Sequence, residues 1–280
     1  MKMDLQILAP VIPSPVPWFW RTAARYLLFA PRLFTLCFIA IGLTTIYSLN
    51  AQPQEPVPLA HGNVPGEPHH HLKIENEYVR VYYVEVPPHE DTQLHQHDHD
   101  YIYVSLGPSE VINAILNKPE IHLQLKDGET HFTRGGFAHV ARNLANTPFR
   151  NITIELLNPQ VEARNVCGPV ILDVGFAVCE PAPGSWWAMT EFETRGLKLD
   201  HVVLSPNGKY NEKISNLGFL VVGLAGSDIK INAKGIPPKT LHEGGIEWFD
   251  AGSKERFSNS GTKATEFLKF TFKRTRQLKK

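Results

Sequence analysis

The chain has 280 residues, 42% of them hydrophobic and 20% charged, with 28 basic and 28 acidic side chains and no net charge. Such a composition supports one large or two small cores and excludes disorder over most of the length, while the charge balance excludes a polyanion such as nucleic acid as the expected partner. A small neutral or weakly charged molecule fits better, and the crowding of the histidines between His61 and His99 points to metal.

Residues 1–51 read as an export or anchor segment. The run from Leu33 to Leu49 is uncharged and apolar and follows Arg21, Arg25 and Arg32. Two outcomes stay open: cleavage after Ala51, giving a periplasmic or secreted protein, or retention of residues 33–49 as a membrane anchor, the chain's one contact with the membrane. Residues 52–70 are rich in proline and glycine and read as a linker, on which His69, His70 and His71 are solvated decoration.

From Leu72 onward apolar and β-branched residues alternate in short runs, as in Val79-Val81-Tyr83, Ile121-Leu123-Leu125 and Ile152-Ile154-Leu156, separated by turn signals such as Asp127-Gly128 and Gly135-Gly136. Short strands at regular spacing with no amphipathic helix between them indicate an all-β sandwich or barrel. The layout recurs in the second half. Gly128, Phe132, Gly136, Asn143, Ile152, Ile154 and Leu156 fall in register with Gly244, Trp248, Gly252, Asn259, Leu268, Phe270 and Phe272. Two tandem barrels follow, over 71–160 and 196–275, with an inter-lobe linker over 161–195 and a basic tail over 276–280. In the linker, Cys167 and Cys179 either pair or stay as buried thiols, and Trp186-Trp187 either plugs the seam between the lobes or offers a ligand platform.

The segment His95-Gln96-His97-Asp98-His99 puts imidazoles at every second residue, so on a strand they share one face. His139 follows the Gly135-Gly136 turn, and a barrel can bring it across from that row. Neutral imidazoles bind divalent transition metals, and three of them leave positions for water or substrate.

These residues resemble the two motifs of the cupin superfamily. His95, His97 and the closing Gly107 match the first motif; Gly128, Gly136, His139 and Asn143 match the second, with Arg134 where proline is usual. The resemblance implies two tandem double-stranded β-helix barrels, with a metal at the centre of the first. The family's glutamate ligand has no counterpart: Tyr101 takes its place at the shorter spacing and Ile102 at the longer, with Asp100 just before. Tyr101, His99 and Asp100 are therefore the candidates for a fourth ligand, and by parity Asp100 points away unless the strand bulges. In the second lobe the matching positions hold Lys213, Ser215 and Glu255, which implies a lobe without that site.

The cofactor expected is one divalent ion, Fe, Mn, Ni or Zn. Three readings stay open: a metal-dependent dioxygenase or isomerase in which Tyr101 is a ligand or proton donor, a non-catalytic exported binding module, and a storage-type two-barrel protein. Each takes a small-molecule ligand or none, and exposed barrel edges leave room for a homodimer.

Overall fold

The computed structural model describes residues 62–211, 216–233 and 236–273. The expected export or anchor segment, the linker before Gly62, Lys213, Ser215 and the tail 276–280 lie outside the described residues. Among the described residues no helix is long and apolar enough to cross a membrane.

Runs of β-branched and aromatic residues favour a pleated backbone buried on at least one face. The first half forms ten strands: β1 (Gly62–Asn63), β2 (His70–Glu75), β3 (Val79–Val86), β4 (His95–His97), β5 (Asp100–Ser105), β6 (Ser109–Ile115), β7 (Ile121–Leu125), β8 (Thr130–Thr133), β9 (Phe137–Asn143) and β10 (Phe149–Leu156). They make two sheets, ordered β1-β4-β9-β6-β7 and β2-β3-β10-β5-β8. The sheets close on an interior that includes Val84, Val111, Leu125 and Phe149.

The second half repeats the plan with β11 (Arg164–Asn165), β12 (Trp186–Glu193), β13 (Leu197–Leu204), β14 (Lys209–Asn211), β15 (Phe219–Gly223), β16 (Asp228–Ala233), β17 (Ile236–His242), β18 (Ile246–Phe249), β19 (Glu255–Asn259) and β20 (Thr265–Phe272). Its sheets are ordered β11-β12-β13-β20-β15-β18 and β14-β19-β16-β17. The fold is all-β, with two tandem barrels.

The sequence repeat has a backbone cause. Gly136 and Gly252 sit at φ of 89° and 91°, where a Cβ is strained. Asn143 and Asn259 do the same work in each lobe. Asn143 Nδ2 donates to the carbonyls of Val86, Pro87 and Thr147, as Asn259 Nδ2 does to those of Leu204, Ser205 and Lys263. Each asparagine thus ties the end of β9 or β19 to the loop that follows β3 or β13.

The largest apolar cluster lies between the barrels. Ile102, Ile152, Ile154 and Leu156 of the first meet Leu197, Leu199, Leu220, Leu268, Phe270 and Phe272 of the second, all nearly or fully buried. Strand β10 is buried on both faces: its alternating apolar residues fill the seam, while Asn151 and Thr153 line the first barrel's interior. This explains how a strand with three polar residues among the six from Asn151 to Leu156 can be central.

Three expectations are corrected here. The segment 52–70 is not wholly linker: Gly62 and Asn63 pair in parallel with His95 and Gln96, and β2 begins at His70. The inter-lobe stretch expected over 161–195 ends before Trp186, because β12 is hydrogen-bonded along β13. Trp186 and Trp187 do not plug the seam; Trp186 packs on Tyr210 at 4.7 Å and Trp187 on His201 at 5.5 Å. The seam's indole is Trp248, stacked on Tyr78 at 5.7 Å. Cys167 and Cys179, left open above, form a disulfide.

Candidate metal centre

Antiparallel pairing of β4 with β9 sets His95 directly opposite His139, and period two carries His97 to the same interior face. The Gly135-Gly136 turn makes this register attainable: a Cβ on Gly135 would stand 2.4 Å from the His99 carbonyl oxygen, and Gly136 donates its amide to the His97 carbonyl at 2.7 Å. His95, His97, His139 and Tyr101 all line one cavity in the first barrel. His95, His97 and Tyr101 are almost fully buried, and His139 is 8% exposed.

The remaining candidates for a fourth ligand sit elsewhere. Asp100 does not line the cavity; it accepts hydrogen bonds from Arg134 Nη1 at 2.8 Å and from the amides of Gly135 and Gln160, both at 3.2 Å. His99 lies in the bend between β4 and β5 and is also absent from the cavity wall. Tyr101 stacks on the His97 ring at 4.1 Å with 20° between planes. Burial raises its phenol above the ordinary tyrosine value, which keeps it a neutral donor and works against a phenolate ligand.

The fourth imidazole is His70. Its side chain is 5% exposed, and its ring lies 4.7 Å from that of His95 and 6.2 Å from that of His97. Nitrogen atoms of His70, His95 and His97 lie within 4.8 Å of one another, a group that could hold a metal ion. His70 is thus a wall residue and not the solvated decoration expected. Behind it stands Glu67, buried, which accepts from His70 Nδ1 at 2.5 Å, His69 Nδ1 at 2.8 Å and the amides of His69 and Gln93 at 2.8 and 3.1 Å. Burial opposes the charge on Glu67, but these donors outweigh it and hold the carboxyl down at about 2.

Second-row acceptors assign the tautomers. His95 Nδ1 donates to the Gln93 carbonyl at 2.8 Å, His139 Nδ1 to Asn113 Oδ1 at 2.7 Å, and His70 Nδ1 to Glu67. A neutral imidazole carries a single N–H, so on His95 and His139 this leaves a bare lone pair on Nε2. Burial first, then the neighbouring imidazoles, holds His97 and His139 well below the ordinary histidine value, and burial takes His95 to about 4. All three are neutral at neutral pH. The Nε2 atoms of His95 and His139 are 3.1 Å apart, and with both Nδ1 protonated neither can donate to the other. Two lone pairs facing at that distance repel, and a cation shared between them relieves the conflict. The donor set, nitrogen with outer oxygen acceptors on three rings, suits a borderline divalent ion.

Glu155 is the other buried acid beside this group. Its Oε1 lies 3.7 Å from His97 Nδ1, too far for a hydrogen bond, and burial raises its carboxyl. In the second barrel Glu255, at the position matching His139, is buried at 2% exposure, and Lys269 is buried at 6%. Lys269 Nζ stands 4.7 Å over the Phe219 ring.

No family model matches the sequence, and no curated protein matches it. Among solved structures, AerE from Microcystis aeruginosa is similar over 74% of this chain and 99% of its own, at 12% identity and a TM-score of 0.51. A variant of salicylate 1,2-dioxygenase from Pseudoaminobacter salicylatoxidans is similar over 69% of this chain and 70% of its own, at 9% identity and a TM-score of 0.51. A cupin 2 conserved barrel domain protein from Leptotrichia buccalis is similar over 73% and 88%, at 12% identity and a TM-score of 0.49. At such identities the two likenesses with a TM-score of 0.51 show the fold alone, tandem barrels of the cupin kind.

Proposed function

We propose that the first barrel binds one divalent transition metal ion on His70, His95, His97 and His139 and uses it to hold and polarise a small oxygen-bearing molecule. The observation that carries this reading is the pair of bare Nε2 atoms of His95 and His139, 3.1 Å apart on residues that line one cavity. When bound, such an ion supplies Lewis-acid polarisation of a carbonyl or hydroxyl oxygen. The chain's own residues do the rest. Glu67, Gln93 and Asn113 hold three rings in the Nδ1-protonated tautomer, and Tyr101, a neutral phenol stacked on His97, is placed to donate a hydrogen bond or proton at the cavity's edge.

We read the activity as that of a metal-dependent oxidoreductase or isomerase, a reading supported in kind by the dioxygenase among the structures of like fold. A non-catalytic binder is the second reading, favoured by the number of imidazoles, since a four-coordinate ion on all four would have no open position. Oxygen consumption by the Fe(II)-loaded full chain against a panel of small ketones and phenols separates the two. Turnover supports the enzyme; thermal stabilisation by the same compounds without turnover supports the binder. We place the protein outside the cytoplasm on the strength of the apolar segment 33–49 and the Cys167–Cys179 disulfide, and cell fractionation tests this.

A further inference from the structure

The cavity beside the four histidines has a volume of about 60 Å³, a small space that admits only a compact molecule. Its wall is apolar where Val84, Val111, Leu123, Leu125 and Phe149 meet. Among the described residues that line it there is no lysine, arginine, aspartate or glutamate. The hydroxyl, phenol and amide groups it offers are uncharged. Asn113 has its oxygen engaged by His139 Nδ1 at 2.7 Å, and Asn151 has its oxygen engaged by Thr153 Oγ1 at 2.7 Å, so beside the Tyr101 phenol both side chains offer their amide N–H groups as donors.

A carboxylate entering such a space would lose its hydration and meet no guanidinium or ammonium, and an unpaired charge in an apolar wall is costly. Extending the metal-site reading above, on which it rests, we infer that this cavity selects an uncharged, mostly apolar small molecule that presents a carbonyl or hydroxyl oxygen to Asn113 and Asn151, and discriminates against carboxylates of the same shape. Selectivity lies in the chain's own wall, so it is present with and without the ion.

Acetophenone and benzoate have the same number of heavy atoms and differ in replacing a carboxylate by a neutral methyl ketone. Their affinities are measured by calorimetry on the full chain, stripped with chelator and again loaded with Zn(II), with Zn content determined separately. The expected result is acetophenone binding about ten-fold or more tightly than benzoate in both forms, since an uncompensated charge in such a wall costs at least the ~1.4 kcal/mol that ten-fold represents. Leu123→Arg places a cation in the wall and moves the ratio toward benzoate by about ten-fold or more. Asn151→Ala, which needs no new charge accommodated, weakens acetophenone by about ten-fold and leaves benzoate little changed. Tighter binding of benzoate by the unsubstituted chain, binding of neither compound, or an unchanged ratio in a folded Leu123→Arg chain would overturn the inference. A chain that takes up no Zn(II) yet still prefers acetophenone contradicts the metal reading alone.

Discussion

Glu67 Oε2 lies 2.5 Å from His70 Nδ1, and this contact makes a residue outside both sequence motifs part of the cavity wall. The carboxylate is buried and takes four N–H donors, so it is fixed in place and fixes the imidazole in turn. With Nδ1 engaged, Nε2 is the ring nitrogen left to face the cavity group, and through His70 strand β2 joins a site otherwise built from β4 and β9.

Replacing Glu67 by Gln keeps the shape and removes the charge. An outer carboxylate on a ligating histidine typically contributes about 10–100-fold in metal affinity. Glu67→Gln is expected to weaken Zn(II) binding by that factor, measured by competition with a chelating dye. Glu162→Gln, which removes the exposed partner of exposed Arg195, is the control and leaves affinity unchanged.

The second barrel has a different pH signature. Burial works against charge on His201, but hydrogen bonds to Glu191 at 3.2 Å and Glu266 at 2.8 Å, and the charges of both acids, outweigh it and raise the imidazole to about 9. A group raised in the folded state contributes stability that is fully present below its unfolded value, about 6.5, and is lost as pH rises through the folded value. Glu266 is 43% exposed, so the contribution is discounted to about 1–2 kcal/mol. Urea denaturation of the unsubstituted chain and of His201→Gln is expected to differ by this amount near about pH 6 and to converge near about pH 10. Equal pH dependence in the two proteins would show the ion triad to be without effect.

Cys167 and Cys179 close a loop of sequence separation 12, which in the chain-entropy account stabilises by about 3 kcal/mol. The Cys167→Ser, Cys179→Ser double variant is expected to lose about that much, read by denaturation, with its metal content unchanged because the loop does not line the cavity.

Much of this was legible in the sequence for identifiable reasons. The repeated Gly136/Gly252 and Asn143/Asn259 positions answer to backbone geometry that any barrel of this plan needs, so they survive in both lobes. His95 and His97 were legible through period two, and His139 through the glycine turn before it. His70 and Glu67 were not. They lie in a stretch whose proline and glycine look like linker, and they reach the site only because Gly62 and Asn63 pair with His95 and Gln96, a non-local contact with no local pattern. The pattern near His97 pointed instead to His99, whose backbone lies against Gly135, and to Asp100, which binds Arg134 and Gln160. The alternation of Ile152, Ile154 and Leu156 marked a strand correctly, but its apolar face packs against the second barrel; the cavity face is the polar one.

The most direct measurement is the metal content of the full chain, stripped with chelator and titrated with Zn(II), beside a His95→Ala, His97→Ala double variant. The account predicts one ion bound per unsubstituted chain, none in the double variant, and weakened binding in His70→Ala and in His139→Ala. An unsubstituted chain that takes up no ion, or a double variant that binds as well as its parent, would contradict it.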